Sequence, residues 1–167
     1  MFNESFATAV EQEGIRRWFA YNGTVIQQAE LTARQDRERV FVELILKYRR
    51  KLQELFGSDL SDAEKRIKKQ QIFEALRVEF ADLKTMHKEL ESYDRWFAQP
   101  LNNALLATVS IYTQLVPAFQ SILKQNDYDM ERFFNVVKKM GKLSREERNH
   151  AFQNAAESYS LLGAAER

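Results

Sequence analysis

Two histidines, His87 and His150, and no cysteine set narrow limits on the chemistry of this 167-residue chain. Without cysteine there is no thiolate nucleophile, no disulfide and no Cys-ligated zinc or iron–sulfur site. Neither histidine belongs to an H-E-x-x-H pair, the i, i+4 spacing that aims two imidazoles at one metal. His87 falls on an apolar helical stripe and reads as a packed or edge-of-core residue. His150, among Arg148, Asn149 and Phe152, reads as a solvated helix residue. No G-x-S-x-G elbow occurs, and the five glycines are too scattered to cradle a phosphate. The residues of a complete hydrolase, kinase or dinucleotide site are therefore missing.

Basic side chains gather in two groups, Lys47, Arg49, Arg50 and Lys51, then Lys65, Arg66, Lys68 and Lys69. Glu54, Asp59, Asp62 and Glu64 are interspersed, so the expected affinity for nucleic acid is at most weak and salt-sensitive, and nucleic acid is not an expected partner. Globally, 25 basic residues offset 24 acidic ones, which leaves no whole-molecule field for a polyanion or a membrane surface. No run approaches the roughly 18 consecutive apolar residues of a spanning helix, so no membrane contact by this chain is expected.

The elements that must position these groups are helical. Five glycines and two prolines against abundant Ala, Leu, Glu, Gln, Lys and Arg predict an all-α chain, and 167 residues suffice for one domain with its own core. A first helix runs over about residues 3–21 and stops at Asn22-Gly23, both tolerant of positive φ. Thr24 can cap a second helix reaching Phe56, with Phe41, Leu44, Tyr48, Leu52 and Leu55 as its apolar spine. Ser61 and Glu64 form a capping box that opens a third helix lasting to about Ala98, with Ile72, Leu76, Phe80, Leu83, Leu90 and Phe97 inward. The second and third would each span roughly 50 Å and form a long antiparallel hairpin. Residues 101–111 are apolar and nearly uncharged, as suits a buried helix. Pro117 fits the first turn of a short helix, Asp127 or Asp129 can cap another, and Ser144 with Glu147 makes a second capping box. The expected organisation is a single helical domain: a first helix over 1–23, the hairpin over 24–98 and shorter helices over 99–167, with a frayed tail after Leu162.

The opening stretch Asn3-Glu4-Ser5-Phe6-Ala7-Thr8-Ala9-Val10-Glu11 resembles the N-E-x-F-A-x-x-x-E segment of thermolysin-like zinc peptidases, including zinc aminopeptidases. Further on, Asn102-Asn103-Ala104 with Leu106, then Tyr112 and Val116-Pro117-Ala118-Phe119, is similar to the C-terminal region of a predicted bacterial aminopeptidase family. Arg132-Phe133-Phe134 and the stretch from Lys142 to Arg148 fit the same pattern, so the resemblance covers essentially the whole chain.

That resemblance implies that Glu4 is a zinc ligand, with Thr8 one turn on and Glu11 two turns on facing the same side as supporting residues. Asn102, Asn103 and Tyr112 become candidates for substrate positioning or for stabilising the oxyanion of peptide attack. Each also has a plainer account: Asn3 and Glu4 as a cap and a first-turn acid, the two asparagines as turn or cap residues, and Tyr112 as a packed tyrosine. Members of the family look like cell-envelope lipoproteins with H-E-x-x-H shortly upstream, and that segment does not occur in this sequence. The expectations are a C-terminal part of a zinc aminopeptidase, inactive and without bound zinc by itself, and acting on a peptide substrate when joined to the upstream half. Apolar residues near Phe2, Phe6 and the 101–112 helix would then be exposed and favour homo-oligomers. The alternative is a non-catalytic helical module that binds a protein or anionic surface through the hairpin.

Overall fold

The computed structural model describes residues 1–152, and these are helical, with no strand among them. The frayed tail expected after Leu162 lies outside them. In chain order the helices are α1 (Phe2–Asn22), α2 (Val25–Gly57), α3 (Asp62–Met86), a 3-10 segment (Lys88–Tyr93), α4 (Asp94–Phe97), α5 (Asn103–Thr113), α6 (Val116–Gln125) and α7 (Met130–Met140). The described part of a further helix, α8, covers 145–152. The all-α fold class read from composition is the fold observed. The helices pack as two compact units, Ile15–Ile111 and Met1–Gly14 with the chain from Tyr112 onward, each around its own apolar cluster.

In the unit Ile15–Ile111, the start of α2 is set by a capping box in which Thr24 and Gln27 satisfy each other's backbone N–H. Ser61 and Glu64 do the same for α3. Gly23 does not adopt positive φ; its role is close approach, because a Cβ there would stand 2.5 Å from the Phe19 carbonyl oxygen. The pairs Lys47–Glu79 and Lys65 with the Phe56 carbonyl show α2 and α3 running antiparallel, as the capped turn between them requires. Phe41, Leu44, Ile45, Tyr48 and Leu52 of α2 pack on Phe73, Leu76 and Phe80 of α3. Lys47 Nζ donates to Glu79 at 2.7 Å, and the Tyr48 hydroxyl donates to the same carboxylate at 2.9 Å. Burial, then the bond to Glu79, pushes the Tyr48 phenol up to about 12, while the Lys47 ammonium holds Glu79 below its ordinary value.

The third helix is shorter than its apolar stripe suggests. It ends at Met86, and His87, with φ −131° and ψ 77°, leaves the helical region instead of continuing the stripe. A straight helix would carry Phe97 about 25 Å beyond Phe80. Instead the chain turns back through the 3-10 segment, and the two rings stack with centroids 3.7 Å apart. Tyr93 stacks on Phe41 at 4.1 Å, and Lys84 pairs with Asp94 at 2.5 Å, ten residues on. Arg77 fastens the returning strand of chain by donating to the carbonyls of Phe97 and Gln99. Burial of four large side chains, Leu90, Tyr93, Trp96 and Phe97, against α2 and α3 outweighs the helical hydrogen bonds lost at the bend.

The other unit is built around rings. Phe2 and Phe6 of α1 meet Phe119 of α6 at 5.3 and 5.6 Å, and Phe119 meets Phe152 of α8 at 5.1 Å. Phe6 also lies 5.8 Å from Phe133 of α7. Small residues, Ser5 and Ala9, are fully buried beneath α1 and let it lie close. Phe2 and Phe6 are thus partly buried in this cluster and not exposed as expected, whereas Ile111 and Tyr112 of the 101–112 stretch are exposed; the other large exposed apolar residues include Trp18, Tyr21, Val25 and Ile26. The stretch Asn103–Gln125 is long and apolar enough by composition to cross a membrane, which a search for unbroken apolar runs overlooks. Here it is two helices, interrupted at Gln114-Leu115, and Leu106 and Phe119 are buried in the two separate clusters.

At the end of α6, Asp127 and Tyr128 both take left-handed backbone conformations, with φ 56° and 58°. Tyr128 N–H bonds back to the Leu123 carbonyl and Asp127 N–H to that of Lys124, a Schellman closure made without glycine. Of the two candidate caps for α7, Asp129 is the one used, accepting from Arg132 N–H at 3.0 Å. Ser144 and Glu147 form the expected box at the start of α8.

Leu76 is fully buried, so Leu76→Ala should cost about 2–5 kcal/mol, read as a lower urea midpoint at unchanged slope. Glu79 bears on pH. Its carboxylate is held below the ordinary 4.5, so its contribution to stability is complete above that value and is lost as pH falls through the lower folded value. In acid titration followed by circular dichroism, Glu79→Gln should therefore show a smaller further loss of stability below about pH 4.5 than the parent protein.

Candidate functional site

α1 begins at Phe2, and the first-turn Glu4 suits the positive end of its dipole. Residues 4, 8 and 11 fall within about one-sixth of the helix circumference at 100° per residue, on the side away from buried Ser5 and Ala9. Glu4, Thr8 and Glu11 do share one side of α1, as their spacing requires. Their side chains do different things. The Glu4 carboxylate accepts from the Met1 ammonium at 2.5 Å, and that hydrogen bond holds it below the usual carboxylate range. The Thr8 hydroxyl donates to the Glu4 backbone carbonyl at 3.0 Å, so it is spent on its own helix. Glu11 is exposed.

Glu4 lies on a hollow of about 400 Å³ lined by Met1, Phe2, Asn3, Glu4, Gly141 and Arg148. Arg148, near the start of α8, places its guanidinium 5.2 Å from the centre of the Phe2 ring, with one nitrogen 3.5 Å from the Gly141 carbonyl oxygen. The hollow therefore carries a carboxylate and a guanidinium on its walls. Arg148 was present in the sequence only as the end of a family-like stretch; its place beside Glu4 depends on α8 meeting α1, which no local pattern encodes.

Asn102 is an N-cap. Its Oδ1 accepts from Leu105 N–H at 2.9 Å and its Nδ2 donates to the Pro100 carbonyl at 3.2 Å, so its amide is engaged at the start of α5. Asn103 is the exposed first residue of that helix. Tyr112, near the end of α5, is half exposed at 51% and not the packed tyrosine of the plainer account. Asn102 and Asn103 belong to the hairpin unit, and Glu4, Thr8, Glu11 and Tyr112 to the other. His87 stands at the end of α3 with Nδ1 3.4 Å from the Glu89 carboxylate, and His150 is exposed on α8.

No group of three or more His, Asp or Glu side chains able to hold a metal ion occurs among the described residues. A catalytic zinc takes three protein ligands. Glu4 offers one, so the described residues do not make up a zinc site among themselves.

The fold and the hollow define an all-α protein with a first-turn carboxylate at the mouth of an open, charged concavity. Residues 1–152 match the model of a family described as "Putative aminopeptidase", and the chain belongs to that family. No curated protein and no solved structure matches it.

If Asn102 serves as a cap, Asn102→Ala should destabilise the hairpin unit by about 1 kcal/mol and Asn102→Asp by much less, since either oxygen caps. Thermal melts of the two variants read this directly.

Proposed function

We propose that this chain is the C-terminal part of a zinc-dependent aminopeptidase, in which Glu4 supplies one metal ligand and the surrounding hollow forms part of the peptide cleft. Membership of the aminopeptidase family across residues 1–152 carries this reading. The position of Glu4 supports it: the N-E-x-F-A resemblance singles out this carboxylate as a ligand, and it stands on the wall of a hollow of about 400 Å³, open to a ligand rather than sealed in a core. The two histidines and the general base would come from an H-E-x-x-H segment upstream of this sequence. Thr8 and Glu11 lie on the same side of α1 as Glu4 and would support the ligand helix, while Tyr112, being half exposed, keeps a hydroxyl available to a substrate carbonyl.

A second reading, a helical module that binds another protein, is favoured by Trp18, Tyr21, Val25 and Ile26. These lie at the exposed turn between α1 and α2, where large apolar side chains usually mark a contact surface.

One experiment separates the two. The chain alone should not cleave aminoacyl substrates. The same reading frame extended upstream through an H-E-x-x-H segment should hold about one zinc per chain by elemental analysis, and Glu4→Ala should remove most of it with helicity unchanged. Equal zinc in both forms would show Glu4 to be a first-turn acid only; no zinc in either would favour the binding module.

A further inference from the structure

The turn between α1 and α2 has no role in the zinc reading, and it protrudes. From 14 to 30 every residue is exposed except Phe19 and Gly23, which are partly buried. Four large apolar side chains stand out: Trp18 is 58% exposed, Tyr21 90%, Val25 83% and Ile26 72%. Trp18 and Tyr21, three residues apart, share a stripe at the end of α1, while Val25 and Ile26 open the first turn of α2. Charge is missing from the same place. Residues 18–29 carry none, although 29% of the chain is charged, and the nearest charges are Arg16 and Arg17 on one arm and Glu30 on the other.

The polar side chains of the turn are bonded back onto it. Asn22 Nδ2 donates to the Trp18 carbonyl at 3.3 Å, and Gln28 Nε2 donates to the carbonyls of Phe19 and Gly23 at 3.0 and 3.2 Å. Thr24 and Gln27 hold each other's backbone N–H in the capping box. These are the four residues that could have supplied the direct hydrogen bonds of a protein interface, about one per 100–200 Å². With them engaged, the turn presents two aliphatic side chains and two rings with one polar edge each. That combination gathers at a membrane–water boundary.

We propose that this turn is a membrane-surface contact, in which Trp18, Tyr21, Val25 and Ile26 enter the interfacial layer of a lipid bilayer. The dimensions suit it. From Trp18 to Asn22 is about 6 Å along the helix, and helices held at an interface bury themselves by about 5–10 Å. Contact of this depth needs no spanning run. Arg16 and Arg17 against Glu30 leave little net charge beside the turn, so the lipid is recognised by its apolar layer and not by headgroup charge.

Sedimentation of the full 167-residue chain with phosphatidylcholine vesicles tests this. The chain should pellet with them equally at low and high salt. In a Trp96→Phe background, which leaves Trp18 as the only tryptophan, emission should shift to the blue on adding vesicles and be quenched by brominated acyl chains. Val25→Asp with Ile26→Asp places acids at the positive end of α2, so circular dichroism should be unchanged while vesicle binding weakens at least about tenfold. Ile67→Asp, at an apolar position of α3 that is 59% exposed, should leave binding as it was. A chain that stays in the supernatant would overturn the proposal. So would an aspartate pair that binds like the parent, or an Ile67→Asp variant that loses as much as the pair. Binding that needs anionic lipid and vanishes in salt would assign the contact to basic side chains instead. A blue shift of Trp18 that grows with protein concentration and is unaffected by vesicles would assign the turn to a second copy of the chain.

Discussion

A helix is a nearly straight rod, and two aromatic rings seventeen residues apart in one rod cannot touch. The contact of Phe80 with Phe97 therefore governs the hairpin unit: to make it, α3 has to end and the chain has to come back. Once it does, Tyr93 reaches Phe41, Lys84 reaches Asp94, and Arg77 can gather the carbonyls of Phe97 and Gln99. The returning segment also fixes where α5 starts, because Asn102 caps it from a backbone that Arg77 has already tied down nearby. Aromatic stacking adds only about 0.5–1.5 kcal/mol per pair beyond area burial, so the bend is held by the whole buried set and not by one ring pair.

In the other unit the same residue type does a different task. Phe2 and Phe6 anchor the first turns of α1 against Phe119 and Phe133, and the small residues Ser5 and Ala9 bring the helix down onto them. With that face buried, the 3.6-residue period leaves Glu4 on the opposite side, at the hollow that Arg148 borders. The carboxylate is thus positioned by apolar packing on the other side of α1.

Much of this was legible from local signals. The caps at Thr24, Ser61, Asp129 and Ser144 are formed by side chains reaching three residues ahead, so sequence spacing alone finds them. Pro117 likewise sits in the first turn of α6. What spacing could not find was long-range. Leu90 and Phe97 continue the apolar stripe of α3 in register, and nothing within that stretch says whether they extend the helix or fold back to the same core. Gly23 looks like a conformational stop in the sequence, whereas it answers to a crowded carbonyl of the previous turn. At the candidate site, Glu4 was found by motif; the side chain beside it, Arg148, was not singled out, because their proximity is a tertiary fact. For Asn102 the structure shows the plainer of its two accounts, a cap.

The joint between α6 and α7 carries a consequence for the order of folding. Asp127 and Tyr128 both have a Cβ, and left-handed backbone costs such residues roughly 1–2 kcal/mol each, so an isolated peptide of this sequence has no preference for the turn. Its closing bonds run to carbonyls at the end of α6, which exist in register only when that helix is already wound. The turn is therefore expected to form after α6 is wound, since both closing bonds need the Leu123 and Lys124 carbonyls in helical register. In transition-state terms these two residues belong among the late-forming positions, and changes to them fall chiefly on the rate of unfolding.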